Sequence, residues 1–112
     1  MAVEIIYLAC PYSHPEPGTE AWRVGEASKF AAKMIDAGAV IFSPLSHTLE
    51  IKQHTTRDGS WDSWEKQNRA FIEVSHELWV LMLPGWEDSV GVRAEIRYAL
   101  ELGKPVRYIP WS

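Results

Sequence analysis

Six consecutive residues in the second half of the chain, Leu78-Trp79-Val80-Leu81-Met82-Leu83, include no polar residue and are followed at once by Pro84 and Gly85. A short apolar run that ends at a Pro-Gly turn is typical of a β-strand whose two faces are both covered. Such strands occur mainly in parallel sheets that carry helices on either side. This stretch therefore predicts an α/β fold.

The sequence on either side alternates between strand and helix patterns. Apolar, β-branched runs predict further strands over residues 3–9, 39–43 and 106–109, and helical spacing predicts helices over residues 19–37, 60–75 and 88–102. Residues 45–58 show no clear period and are predicted to form a long loop. The order β-α-β-α-β-α-β predicts one three-layer Rossmann/flavodoxin-like domain over residues 1–112, with a four- or five-stranded parallel sheet.

Composition narrows the class of protein. A chain of 112 residues with 46% apolar residues has room for one hydrophobic core, and a net charge of −4 argues against binding to a nucleic acid polymer. No apolar run reaches the roughly 18 residues of a membrane helix, and no secretion signal is recognisable, so a cytoplasmic location is expected. A single cysteine, Cys10, excludes an internal disulfide. Because 12% of the residues are aromatic, more than so small a domain can bury, a subunit interface and a homodimer are expected.

The start of the last predicted helix combines several chemically useful residues. The stretch Asp88-Ser89-Val90-Gly91-Val92-Arg93-Ala94-Glu95 follows a strand, at the sheet edge where ligands of α/β proteins bind. Either Asp88 or Ser89 is expected to cap the helix, and Gly91, one turn before Glu95, leaves a gap through which a small ligand reaches the carboxylate. Ser89 and the helix N-terminus suit an anionic group. Spacing alone favours a surface position for Glu95, paired with Arg93 or Lys104, over a role in a site.

Two motifs together resemble one enzyme superfamily. The opening Ile6-Tyr7-Leu8-Ala9-Cys10-Pro11-Tyr12-Ser13 resembles the first strand and loop of the nucleoside 2-deoxyribosyltransferase superfamily. The later Asp88-Ser89-x-Gly91-x-x-x-Glu95, followed by Gly103-Lys104-Pro105-Val106, resembles its catalytic helix. The resemblance implies cleavage or transfer at the N-glycosidic bond of a nucleoside or nucleoside 5′-monophosphate, without a cofactor.

The resemblance also implies roles for individual residues. Glu95 corresponds to the nucleophile that attacks the anomeric carbon, Tyr7 to a tyrosine that orients it, and Ser89 to the serine that holds the 5′-phosphate. The sugar and phosphate side of the pocket would be lined by Ala9, Cys10, Pro11, Tyr12 and Ser13. Gly91 would belong to the phosphate site.

This chain departs from the superfamily at two positions. Cys10 stands where glycine is common, and Asn68 stands where an acidic residue contacts the sugar or base. An amide forms hydrogen bonds but does not shuttle a proton, so Asp62, about a turn and a half earlier, is a substitute candidate. A non-catalytic nucleotide-binding module with the same pocket is therefore the alternative function.

Other candidate residues have weaker signals. His47 and His54 with Asp58 match no established metal-ligand spacing, so no metal site is predicted, and His47 is instead a candidate contact to a base or phosphate. Trp61, Trp64 and Trp86 suit either stacking on a nucleobase or core packing. No Gly-rich phosphate loop or dinucleotide motif is present, which argues against an ATPase or an NAD-dependent enzyme.

Overall fold

Strands and helices alternate along residues 3–111, the part of the chain that the computed structural model describes. In chain order they are β1 (Ile5–Ala9), α1 (Thr19–Asp36), β2 (Val40–Phe42), α2 (Pro44–Lys52), α3 (Trp61–Val74), β3 (Glu77–Met82), α4 (Val90–Glu101) and β4 (Val106–Pro110), with a single 3-10 turn at Trp86–Asp88 before α4. The apolar run that predicted the fold is β3 and its immediate continuation.

The sheet has four parallel strands in the order β2-β1-β3-β4 within the described residues. Tyr7 of β1 pairs with Leu78 of β3, and Leu78 pairs in turn with Val106 of β4. Consecutive residues of the two central strands point to opposite faces, and both faces are buried. The α/β prediction is confirmed, and the sheet has the smaller of the two expected sizes.

Helices cover the sheet from both sides. Tyr7 and Val80 pack on one face against Ile72 of α3 and Val92 of α4. On the other face, α1 packs over the sheet; Leu8 and Leu81 share that second cluster with Ala27 and Ala31. The result is the three-layer Rossmann/flavodoxin-like arrangement expected from the alternation of elements.

The strand order places a topological switch between β1 and β3. The chain leaves β1 for α1 on one face, whereas it leaves β3 for α4 on the other. Two neighbouring strands whose connections diverge leave a crevice at their carboxyl ends, which is where ligands bind in open α/β sheets. The first loop, residues 10–18, and the segment from Pro84 to Ser89 border this crevice.

One expectation about local structure is wrong. Residues 45–58 are not one long loop, because Pro44–Lys52 form helix α2 with proline in its first turn. Helix α1 ends just before Gly38, which lies in the left-handed region at φ 95°.

None of the helices within residues 3–111 is both long and apolar enough to cross a membrane.

Candidate functional site

A cavity of about 240 Å³ opens at the carboxyl edge of the sheet, at the switch between β1 and β3. Its size is near the lower end of the range for small-molecule sites. Nine of the candidate residues named from the sequence line it: Cys10, Tyr12, Ser13, Trp61, Trp64, Asn68, Ser89, Gly91 and Glu95. These residues come from the loop after β1, from α3 and from the start of α4.

Glu95 is buried in the wall of this cavity. Only 4% of its surface is exposed, and its carboxyl accepts a hydrogen bond from the Tyr7 hydroxyl. Arg93 instead bonds the backbone carbonyl of Glu87, and Lys104 bonds the carbonyls of Glu73 and Ser75. The alternative of a surface glutamate paired with one of these cations is therefore wrong.

Burial changes the ionisation of the Glu95–Tyr7 pair. Loss of water raises the pKa of Glu95 to about 8, although the hydrogen bond from Tyr7 acts in the opposite direction. Burial and the neighbouring carboxyl also raise the pKa of Tyr7 well above its usual value of 10.0. At neutral pH most Glu95 carboxyls are consequently protonated in the free protein. A buried carboxyl with a strongly shifted pKa in a cleft is a recognised mark of a functional site.

Arg23 of α1 holds the first loop in place. Its guanidinium donates to the carbonyls of Tyr12 and Ser13 at 3.3 and 3.0 Å, and to that of Pro84 at 3.0 Å. Only 5% of Arg23 is exposed, so these are buried, charge-assisted bonds. Arg23 thus joins the two segments that leave the sheet at the switch point.

The segment between α2 and α3 forms the opposite wall. The Asp58 carboxylate accepts hydrogen bonds from the Ser60 amide at 3.0 Å and from the hydroxyls of Ser60 and Ser63 at 2.6 and 2.7 Å. These bonds lower the pKa of Asp58 to about 2. Trp64 donates its indole N–H to the Asp58 carbonyl at 2.6 Å, which fixes this indole in the cavity wall.

The start of α4 forms the floor near Glu95. The Ser89 hydroxyl accepts the Val92 amide at 3.2 Å, so Ser89 is the N-cap, and its own proton remains available to a ligand. A side chain at Gly91 would meet Trp61 at 3.7 Å and Ser89 at 3.9 Å, which are ordinary contact distances. The protein itself therefore does not require glycine at position 91; the space left there opens into the cavity.

Some residues named from the sequence lie outside the cavity lining. Ala9, at the end of β1, and Pro11, at the start of the first loop, are buried outside the cavity lining. Tyr7 touches the cavity only through Glu95. Asp62 is exposed on α3, and His47 packs against Phe42, with 5.2 Å between the ring centroids. Of the three candidate tryptophans, Trp61 and Trp64 line the cavity, whereas Trp86 packs on Tyr108.

Helix α2 was not predicted from the sequence, yet five of its residues line the cavity. Pro44 lies at its start, and the other four are spaced as one face of a helix: Leu45, Thr48, Leu49 and Lys52. The signal that could have found them is Pro44 after Ser43, a common helix start, followed by positions i, i+3, i+4 and i+7.

No described group of three or more His, Cys, Asp or Glu residues is arranged to hold a metal ion. His54 pairs with Glu50 of α2 at 3.2 Å, whereas His47 packs against Phe42. The two histidines therefore have different neighbours. Burial and Glu95 raise the pKa of the Cys10 thiol above its usual range, so this residue is a neutral, packed part of the wall.

Nearly the whole chain matches one protein family. Residues 4–110 match the family described as a domain of unknown function, DUF1937. The chain belongs to this family. No curated protein sequence matches this DUF1937 chain significantly.

A solved structure shares the fold of the DUF1937 chain. It is that of a 2-deoxyribosyltransferase from the psychrotolerant bacterium Bacillus psychrosaccharolyticus, with a TM-score of 0.67 and 23% sequence identity. The superposition covers 95% of this chain and 72% of the other. At this identity the similarity establishes a common fold.

Proposed function

We propose that this protein cleaves or transfers the N-glycosidic bond of a nucleoside or nucleoside 5′-monophosphate, with Glu95 as the nucleophile. The observation that carries the proposal is the buried Glu95 carboxyl, bonded by Tyr7 in the wall of a cavity of about 240 Å³. The fold shared with a 2-deoxyribosyltransferase supports the same reaction class.

The chemistry proceeds in two displacements. The Glu95 carboxylate attacks the anomeric carbon, a C–O bond forms, and the C–N bond breaks so that the base leaves with the electron pair. Water or a second base then attacks the same carbon and releases the carboxylate. Positive charge that develops on the sugar favours ionised Glu95, and Tyr7 donates to it throughout.

Protonation of the leaving base needs a donor inside the cavity. Asn68 lines the cavity where an acid was expected, and Asp62 does not line it. Asp88 lines the cavity, but its side chain is 92% exposed and pairs with Arg93 at 3.8 Å, so we propose water as the proton donor. If water does not protonate the base, the pocket binds a nucleotide without cleaving it, which is the second candidate function.

The test is detection of free base by chromatography. The purified protein is incubated with ribo- and deoxyribonucleosides and their 5′-monophosphates, with and without an acceptor base. Glu95→Ala is the test variant, and Glu101→Ala, at the exposed end of the same helix, is the matched control.

Base release by the wild type and by Glu101→Ala, but not by Glu95→Ala, supports the proposal. Release that survives Glu95→Ala rules out this nucleophile. No release from any compound, combined with a rise in melting temperature on adding one of them, favours the binding module.

The proposal extends to a homodimer. Leu100 and Leu102, at the C-terminal end of α4, are 60% and 41% exposed and are our candidates for this interface. Sedimentation equilibrium tests this: a single species of monomer mass at micromolar concentration would contradict it. The cytoplasmic location stays a prediction of the sequence.

A further inference from the structure

We propose that Lys52 is the specificity-determining residue of the cavity and selects ligands that carry a phosphate on the sugar over their unphosphorylated counterparts. The inference deepens the proposed function, because it chooses nucleoside 5′-monophosphates over nucleosides. Among the described residues that line the cavity, Lys52 is the only basic one.

The Lys52 ammonium group bonds a neutral hydroxyl and no carboxylate among the described residues. Its Nζ donates to the Tyr12 hydroxyl at 2.8 Å and lies 4.8 Å from the centre of that ring. Within residues 3–111 it forms no ion pair at 4.0 Å or less, although Glu20 and Asp58 are near enough to raise its pKa. A half-buried ammonium with two donors unused is suited to an anionic ligand.

The surroundings hold this cation in one position. A Cβ on Gly59 would lie 2.5 Å from Tyr12 Cε2 and 3.1 Å from Lys52 Nζ, so the backbone there packs directly on the pair. Ser13 bonds the Gly59 carbonyl at 3.2 Å, and Arg23 holds the carbonyl of Tyr12. The cation is therefore part of the built wall, supported from α1, α2 and the segment before α3.

The formal charges near the cavity, apart from Lys52, do not favour an anionic ligand. The whole chain carries a net charge of −4, which repels anions at long range. Glu95 is mostly neutral at pH 7 and does not oppose a phosphate, whereas Asp88 in the same lining does. Lys52 adds a full positive charge to the partial positive charge of the α4 N-terminus beside Ser89.

The test measures binding, not turnover. Dissociation constants for ribose 5-phosphate and ribose, and for 2-deoxyribose 5-phosphate and 2-deoxyribose, are obtained by calorimetry or thermal shift. These probes carry no base, so neither base preference nor catalysis enters the measurement. The variants are Lys52→Met, Lys52→Arg and the exposed control Lys33→Met, and each is first checked for an unchanged melting temperature.

The wild type is expected to bind the phosphorylated sugar roughly tenfold or more tightly than the free sugar. Lys52→Met should lose most of that ratio while binding the free sugar as before, and Lys52→Arg and Lys33→Met should keep it. If Lys52→Met fails to fold, Lys52→Gln provides a second variant: it removes the positive charge, keeps a polar end that can bond the Tyr12 hydroxyl, and should lose the preference in the same way.

An equal affinity of the wild type for both kinds of probe, or a preference that survives Lys52→Met, overturns the inference. Failure of the proposed function gives a different result. The protein would then release no base from nucleotides but would still prefer phosphorylated sugars. A purely structural role of Lys52 would lower the melting temperature and weaken binding of both probes by the same factor.

Discussion

At the scale of single residues, the main feature is an acid kept away from water. Glu95 has a hydroxyl partner in Tyr7 and no cation, so burial dominates its ionisation. Its folded-state pKa of about 8 exceeds the ordinary value of 4.5. Between these two values the folded protein holds a proton that the unfolded chain has lost.

Stability should therefore fall as pH rises from about 5 to 8, by up to about 1.4 kcal/mol per pH unit from this group alone. Glu95→Gln removes the titration, so its stability relative to the wild type should increase steadily across that window. Urea unfolding at pH 5, 6, 7 and 8 measures the difference. The exposed Glu101→Gln serves as the control, and parallel pH curves for Glu95→Gln and the wild type would contradict the assignment.

The same proton governs the proposed reaction. Only ionised Glu95 is a nucleophile, so kcat/KM for base release should rise with pH through about 8 and then level off. Because the Tyr7 hydrogen bond lowers the pKa of Glu95, Tyr7→Phe should move the midpoint to higher pH. A flat profile between pH 6 and 9 would count against Glu95 as the attacking group.

At the scale of elements, the strands and three of the helices were predictable because they serve the core. The apolar run Leu78–Met82 of β3 and the spacing of Ala27 and Ala31 on α1 reflect burial against neighbours. Helix α2 was not predictable in the same way, since its inward face borders a cavity and combines Leu45 and Leu49 with Thr48 and Lys52. Apolar periodicity does not reveal a helix whose inward face combines apolar and polar side chains.

The residues of the candidate site also differ in whether the sequence reveals them. Glu95, Tyr7 and Ser89 were identified because a motif carries them. Lys52 and Arg23 were not, because the former acts from an unrecognised helix and the latter acts through backbone carbonyls that are not visible in a sequence. Cys10, Tyr12 and Ser13 follow from their place directly after β1.

Two glycines provide a matched test of how elements pack. Gly25 lies inside α1 with nothing within 4 Å of an added Cβ, so Gly25→Ala should stabilise the protein by roughly 0.5–1 kcal/mol through helix propensity. Gly59→Ala places its methyl group 2.5 Å from the Tyr12 ring and should cost about 1–3 kcal/mol. Chemical denaturation of both variants measures the opposite signs; equal effects would contradict the packing described for Gly59.

At the scale of the whole molecule, Arg23 links parts of the chain that are far apart in sequence. It bonds the loop after β1 and, at a separation of 61 residues, the carbonyl of Pro84 after β3. Both connections lie at the switch point of the sheet, so the shape of the crevice depends on this side chain.

Arg23→Met retains much of the aliphatic volume but leaves three partly buried carbonyls without their donor. We expect a loss of roughly 2–4 kcal/mol of unfolding free energy, with weaker ligand binding than that loss alone explains. The exposed Arg97→Met on α4 is the control. An unchanged midpoint of urea unfolding for Arg23→Met would show that water replaces these bonds.

The cavity draws its lining from residues 10–13, 44–52, 59–68 and 88–95, which are brought together only when the sheet and both helix layers are complete. A ligand seated there acts as a removable crosslink between the two halves of the chain. Its strongest protective effect should thus fall on α2, whose single buried residue is Pro44 and which has the least core to hold it down. Amide hydrogen exchange along α2 is accordingly a direct gauge of occupancy, even for a ligand that is never turned over.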